Sequence, residues 1–316
     1  MRILIFGASG RTGQVLDSVA RQSGYEVLAP AHAECPLEQS RQLSDYVLAS
    51  GAGVVVNCAA ISGLEACAAD PLQAHLVNAV APAAMALACR HTGARFVHLS
   101  TDYVLDGRRA GVKDEGAKCR PINCYGESKR EGELQTLEAL PGAVVARVSW
   151  VCGNPARPSF IESTVMRALE GQPLAAVADK FSYPTAAEDI ARAVLALAAG
   201  DYGGIVHLTS SGEPLSWWHC ATLALQAAVE QGALAAAPPV QQQQLDGVPF
   251  FREPRPRHTA MDTTLLTAGL GIAMPTARQT ISNAVEKLLR YRAAAAHVSQ
   301  RFGTRGFTID NLRLTN

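Results

Sequence analysis

The chain has 316 residues, 28 basic and 28 acidic side chains and so a formal net charge of zero, and 48% hydrophobic residues. That length buries an ample core and suits one large α/β domain with a smaller one beside it. Neutrality argues against a nucleic-acid partner, which needs a surplus of Lys and Arg, and no apolar run approaches the roughly 20 residues of a membrane span, so no membrane is expected.

Arg2 leads directly into Ile3-Leu4-Ile5-Phe6 and then Gly7, which reads as a strand entering a turn and not as a secretion signal. Further apolar, strand-like runs follow at 26–29, 53–58, 95–100 and 143–149, with helix-like stretches at 12–22, 37–49, 71–91 and 125–140. The strands are apolar on both faces, as in parallel sheets covered by helices, so the alternation predicts an α/β fold with a Rossmann-type doubly wound parallel sheet.

The first turn, Gly7-Ala8-Ser9-Gly10-Arg11-Thr12-Gly13, spaces three glycines between a strand and a helix. Gly7 permits the tight turn, Gly10 lets the backbone approach a pyrophosphate, Gly13 allows helix to pack on strand, and the helix N-terminus presents free N–H groups to the anion. Gly7, Gly10, Arg11, Thr12 and Gly13 are therefore the expected dinucleotide-binding residues. The second strand ends Ala29-Pro30-Ala31-His32 without the acid that holds an NAD ribose, and Glu34 lies further on. Arg11 suits a 2′-phosphate instead, so NADPH is expected over NADH, with NADH as the possible alternative.

Ser100-Thr101-Asp102 closes the fourth strand, where ligands bind in open α/β sheets, and Tyr125-Gly126-Glu127-Ser128-Lys129 opens the next helix. Four residues apart, Tyr125 and Lys129 share one helix face. Carbonyl reduction needs a hydride and a proton; a nearby ammonium and a nicotinamide ring favour the phenolate of Tyr125, and Lys129 also reaches the nicotinamide ribose. Thr101 is placed to bond the substrate oxygen. Thr101, Tyr125 and Lys129 are the expected catalytic set.

Eight scattered cysteines form no C-x-x-C pair, no metal site is expected, and a reducing cytoplasm is the simplest setting. Beyond Trp150 the pattern loosens into a smaller substrate-binding α/β region over 151–290, some of whose segments return to the domain at 1–150. It holds a breaker-rich link at 154–158, helices at 160–170 and 187–199, a strand at 204–209, and a Gln-rich stretch, 235–244, that reads as a mobile loop. The polar stretch 291–316 reads as a tail.

The run 98–107 (His-Leu-Ser-Thr-Asp-Tyr-Val-Leu-Asp-Gly), Tyr125 to Lys129 with Gly132-Glu133, and Arg147-Val-Ser-Trp150 together resemble the extended short-chain dehydrogenase/reductases, and among them the dTDP-4-dehydrorhamnose reductases. Asp179-Lys-Phe-Ser-Tyr-Pro-Thr185, the run 255–262, and Val56-Asn-Cys-Ala-Ala60 followed by Asn78 fit the same subgroup. The resemblance covers about residues 1–290. It implies reduction of a nucleotide-activated 4-keto-6-deoxysugar, Ala59, Ala60 and Asn78 near the cofactor, contact of Asp102, Tyr103 and Trp150 with the nucleotide sugar, and a homodimer. The chain departs from the subgroup at Leu105 and Ile61, where aromatic residues are usual, at 35–38, and at 276–287. Related dehydratases place Glu after the Asp; here Tyr103 follows Asp102, so that base is absent. A reductase of a different ketone, and a regulatory subunit like the beta subunit of methionine adenosyltransferase, are the remaining alternatives.

Overall fold

A computed structural model describes residues 1–302, with side chains to residue 296. In chain order the first half runs β1 (Arg2–Phe6), α1 (Arg11–Gln22), β2 (Glu26–Leu28), α2 (Ser40–Ala49), β3 (Val54–Asn57), α3 (Leu64–Ala69), α4 (Pro71–His75), α5 (Ala81–Thr92), β4 (Arg95–Thr101), α6 (Cys124–Ala139) and β5 (Val144–Val148). The second half runs β6 (Val151–Cys152), α7 (Phe160–Leu169), β7 (Leu174–Val177), β8 (Phe181–Ser182), β9 (Thr185–Ala186), α8 (Ala187–Ala199), β10 (Gly204–Leu208), β11 (Leu215–Ser216), α9 (Trp217–Glu230), β12 (Val240–Gln243) and α10 (Ala277–Phe302).

Six parallel strands form one sheet in the order β10-β5-β4-β3-β1-β2. The chain winds outward from β1 to β2, then returns on the other side of β1 at β3. A crevice therefore opens between β1 and β3 at the C-terminal strand ends, where open α/β sheets place their ligands. One sheet face buries Ile3, Ile5, Val54, Val56 and Val97 under α1 and α8. The other buries Leu4, Phe6, Val55 and Phe96 under α2 and α5. Burial on both faces is why these strands read as continuous apolar runs.

The run 71–92 is, by length and composition alone, apolar enough to cross a membrane, contrary to the expectation of no such run. In the fold it is a core helix: α5 packs against α2 and α6 and buries Met85, Ala86 and Cys89. A π turn, Leu76–Val80, interrupts it between α4 and α5. Such turns concentrate at functional sites, and this one carries Asn78.

After β5, helices α7, α9 and α10 close a second core around Ile161, Val165, Ala224, Ile281 and Val285. Segments α8 and β10 return to the six-stranded sheet, and β10 pairs with β5. The Gln-rich stretch is not a loop throughout: Val240–Gln243 pairs in parallel with β7, because every glutamine there still offers a full set of main-chain ladder bonds. The break expected at residue 290 falls inside α10, which runs on to Phe302. Residues 303–316 of the expected tail lie outside the described residues.

Candidate active site

The glycine turn is built by contact. Gly7 has φ +77°, and a Cβ there would come within 2.7 Å of the Ala59 nitrogen. A Cβ on Gly13 would stand 2.1 Å from the Gly7 carbonyl oxygen, so only glycine lets α1 lie this close to the end of β1. No side chain caps α1 and its first turn holds no acid. The first N–H groups stay available to an anion, with the positive end of the helix behind them. A cavity of about 680 Å³ opens from this turn, lined by Gly10, Arg11, Thr12, Ala60, Tyr125 and Lys129 among others. The residues present thus fit a dinucleotide.

Asn78 does not reach the cavity with a free amide. Its Oδ1 accepts from Ile61 N (2.9 Å), and its Nδ2 donates to Ile61 O (2.9 Å) and Ser128 Oγ (3.0 Å). Fully buried and fully bonded, it holds the Ala59–Ile61 segment against α6 in place of touching a cofactor. Gly132 makes that approach possible, since a Cβ there would meet Asn78 O at 2.1 Å.

Asp102 is likewise spent inside the protein. It is 2% exposed, and its carboxylate accepts from Thr259 Oγ1, Ser182 Oγ (3.2 Å) and Thr101 Oγ1 (3.3 Å). Burial raises its pKa, against Lys180 and these donors. The expected substrate contact is therefore replaced by a brace between the end of β4 and the second half of the chain. Tyr103 packs beside Tyr125, and Trp150 lines a smaller neighbouring pocket of about 200 Å³ with Arg11, Phe160 and Trp217. Tyr103 meets Tyr125 edge-on at 5.7 Å, and Trp150 meets Trp217 edge-on at 5.8 Å. Trp150 holds φ +36°, and its indole N–H has no partner among the described residues.

Burial raises the pKa of the Tyr125 phenol, against a smaller lowering from the nearby Thr101 hydroxyl. The expected lowering by Lys129 is not what sets Tyr125 here, because the Lys129 amine is docked on β4. Its Nζ donates to Leu99 O (2.6 Å) and faces His98 Nε2 at 3.2 Å. Lys129 is 1% exposed, and burial lowers its pKa to about 8, against Glu133 and Cys58.

Arg11 donates from Nε to Arg157 O (2.9 Å) and from Nη2 to Pro158 O (3.1 Å), so two of its donors face the 154–158 link and not a 2′-phosphate. Glu34 accepts from Ala31 N (2.8 Å), within the turn after β2.

Several residues that shape the site carry no role in the sequence reading. The Glu133 carboxylate is fully buried and accepts from Arg147 Nε and Nη2 (2.8 Å each), Arg130 Nη1 (2.7 Å) and Ser100 Oγ (2.6 Å). This knot ties β4, β5 and α6 together one residue before Thr101. Lys180, also fully buried, donates to Pro256 O and lies 4.8 Å from the Tyr103 ring centroid. Charged residues amid buried apolar strands, such as Arg147 in β5, were the available signal.

The doubly wound sheet, the glycine turn at its switch point and a Tyr125–Lys129 pair on α6 define an extended short-chain dehydrogenase/reductase. The RmlD substrate binding domain model matches residues 1–290. A dTDP-4-dehydrorhamnose reductase of Burkholderia thailandensis is 31% identical over 302 residues, covering 92% of this chain and 99% of that one. One of Mycobacterium tuberculosis is 35% identical over 222 residues, covering 67% and 70%. The crystal structure of dTDP-4-dehydrorhamnose reductase from Bacillus anthracis in complex with NADP superposes with a TM-score of 0.81 at 24% identity, covering 90% of this chain and 96% of that one. The chain belongs to the RmlD substrate binding domain family.

Proposed function

We propose that the protein reduces the keto group of a nucleotide-activated 4-keto-6-deoxysugar, dTDP-4-dehydrorhamnose or a close analogue, with NADPH as the preferred reductant and NADH as the lesser one. The observation that carries this reading is the single cleft that gathers the uncapped glycine turn, Ala60, Tyr125 and Lys129. The family, the dTDP-4-dehydrorhamnose reductases among its relatives and the NADP in the Bacillus anthracis structure support it.

The dinucleotide, when bound, supplies the hydride. Gly7, Gly10, Thr12 and Gly13 would hold its pyrophosphate, with Ala59 and Ala60 beside the turn. Thr101 turns its hydroxyl away from Asp102 to bond the substrate carbonyl oxygen and orient it. Tyr125 gives its phenolic proton to the oxygen as negative charge develops there, which its raised pKa allows in the ground state: the phenol stays protonated until the alkoxide forms. Lys129 holds the ribose and restores charge balance at Tyr125. Tyr103 and Trp150 line the sugar side. Arg11 would hold a 2′-phosphate if it gave up the Arg157 and Pro158 carbonyls. We read the chain as a cytoplasmic homodimer: the free thiols suit a reducing compartment, and Leu87 and Leu134, each 47% exposed on the neighbouring helices α5 and α6, suit a self-contact.

The test follows NADPH consumption with dTDP-4-dehydrorhamnose generated in situ, with NADH in parallel. Oxidation by the wild type that falls at least about a hundredfold in Tyr125→Phe is expected from loss of the proton donor. Tight NADPH binding without oxidation would discard this substrate and move weight to another ketone or to a regulatory role.

A further inference from the structure

Behind the cleft, two buried polar side chains that the mechanism above does not use lead in a line to Lys129. Asn57, at the end of β3, is 0% exposed, as is His98 in the middle of β4. Asn57 Oδ1 accepts from Ala59 N at 3.0 Å, so its Nδ2 is the atom that faces His98 Nδ1 at 3.2 Å. Turning the amide over would set two donors against each other at Ala59. Nδ1 of His98 must then accept. Burial and the nearby Lys129 hold the imidazole neutral, and a neutral ring that accepts at Nδ1 carries its one proton on Nε2. That Nε2–H points at Lys129 Nζ, 3.2 Å away, while Nζ donates to Leu99 O.

Along the line, donor faces acceptor at each contact only when Lys129 is an amine, whose lone pair takes the Nε2–H while one of its own N–H groups goes to Leu99 O. An ammonium has no lone pair, and two N–H groups then confront each other out of water. We infer that His98 is a positioning residue for the reaction: its Nε2–H, fixed there by the Asn57 amide, faces Lys129 Nζ and favours the amine over the ammonium. The groups facing Lys129 from other positions act the opposite way. Glu133, one turn along α6, favours the ammonium, and so would a Cys58 thiolate beyond β3, but burial pushes the Cys58 thiol up to about 12 and leaves it protonated. Burial brings the lysine to about 8, and the facing Nε2–H of His98, 3.2 Å away, acts in the same direction, so His98 helps to set the pH above which the charge is lost from beside Tyr125.

The proposal rests on the reductase reading for its kinetic arm and on nothing but the fold for its spectroscopic arm. Two variants remove the Nε2–H from Lys129. His98→Gln presents an amide oxygen in its place. Asn57→Asp, nearly isosteric, accepts at Nδ1 and moves the ring proton there. In both, the basic limb of the pH profile of kcat/KM for keto-sugar reduction should move up by about one pH unit, a tenfold change in the amine–ammonium ratio. A limb that stays in place in both variants, or moves down, overturns the inference. Long-range ¹⁵N–¹H correlations on the full chain decide it without any substrate. One imidazole should show the Nε2–H tautomer, vanish in His98→Gln and switch to Nδ1–H in Asn57→Asp. An Nδ1–H ring in the wild type would refute it even if the keto sugar proves to be the wrong substrate.

Discussion

Glu133 is the residue on which the geometry of the cleft depends most. Its carboxylate meets the Arg147 guanidinium in a two-point contact with both side chains out of water, and Ser100 and Arg130 complete its acceptors. A buried pair contributes little compared with a well-packed apolar one, but breaking it strands a charge. Glu133→Gln should therefore cost about 3–5 kcal/mol, read as a lower denaturant midpoint at unchanged slope. An unchanged midpoint would show that Arg147 finds another partner. Burial opposes ionisation of Glu133, but Arg147 and its other donors outweigh it and hold the carboxyl below its usual range. That part of the stability is complete above the unfolded value of about 4.3 and disappears as pH falls through the lower folded value. Glu133→Gln should flatten the acid limb of the stability curve accordingly. At this scale the sequence displayed Tyr125 and Lys129 openly, because four-residue spacing puts them on one helix face, whereas Thr101 ends β4 and comes beside them only through the packing of β4 on α6. It did not display the engagement of Asn78 and Asp102. Whether an amide or a carboxylate is free depends largely on distant partners, such as Ile61 for Asn78, 17 positions away, and Thr259 for Asp102, 157 positions away.

At the scale of elements, α6 is set by two close approaches. Gly126 admits Tyr103 O, where a Cβ would stand at 2.3 Å, and Gly132 admits Asn78 O at 2.1 Å. Asn123 caps the helix by accepting from Gly126 N (2.8 Å), and donates from Nδ2 to Pro254 O (2.8 Å), so the second half of the chain is pinned to the start of the helix that carries Tyr125. Gly132→Ala must push the π turn or the helix aside. We expect a loss of about 1–3 kcal/mol, together with weaker cofactor binding, because Asn78 positions the Ala59–Ile61 wall. Calorimetry and a cofactor titration on the same variant check both. Normal binding at reduced stability would confine Asn78 to packing. The helices and strands of the parallel sheet were legible because burial on both faces leaves long apolar runs. Strand β12 was not: a valine and three glutamines carry no β-pattern, and only pairing with β7 makes them a strand.

Across the whole molecule, the exposed leucines Leu87 and Leu134 on α5 and α6 give the dimer reading its test. Light scattering behind size exclusion should give twice the 33.4 kDa chain mass, and Leu87→Glu with Leu134→Glu should return the monomer. A wild-type monomer would set the reading aside. The sequence by itself determined the class of fold, the glycine turn and the Tyr125–Lys129 pair, since each is a local matter of period or spacing along one or two elements. The tertiary structure alone decided which polar groups face the cleft and which are consumed in holding it, that Lys129 docks on β4 beside His98, and that Arg11 bonds to the 154–158 link. Those outcomes turn on how hydrogen-bond donors and acceptors from distant segments are matched once water is excluded, and no run of adjacent residues encodes that matching.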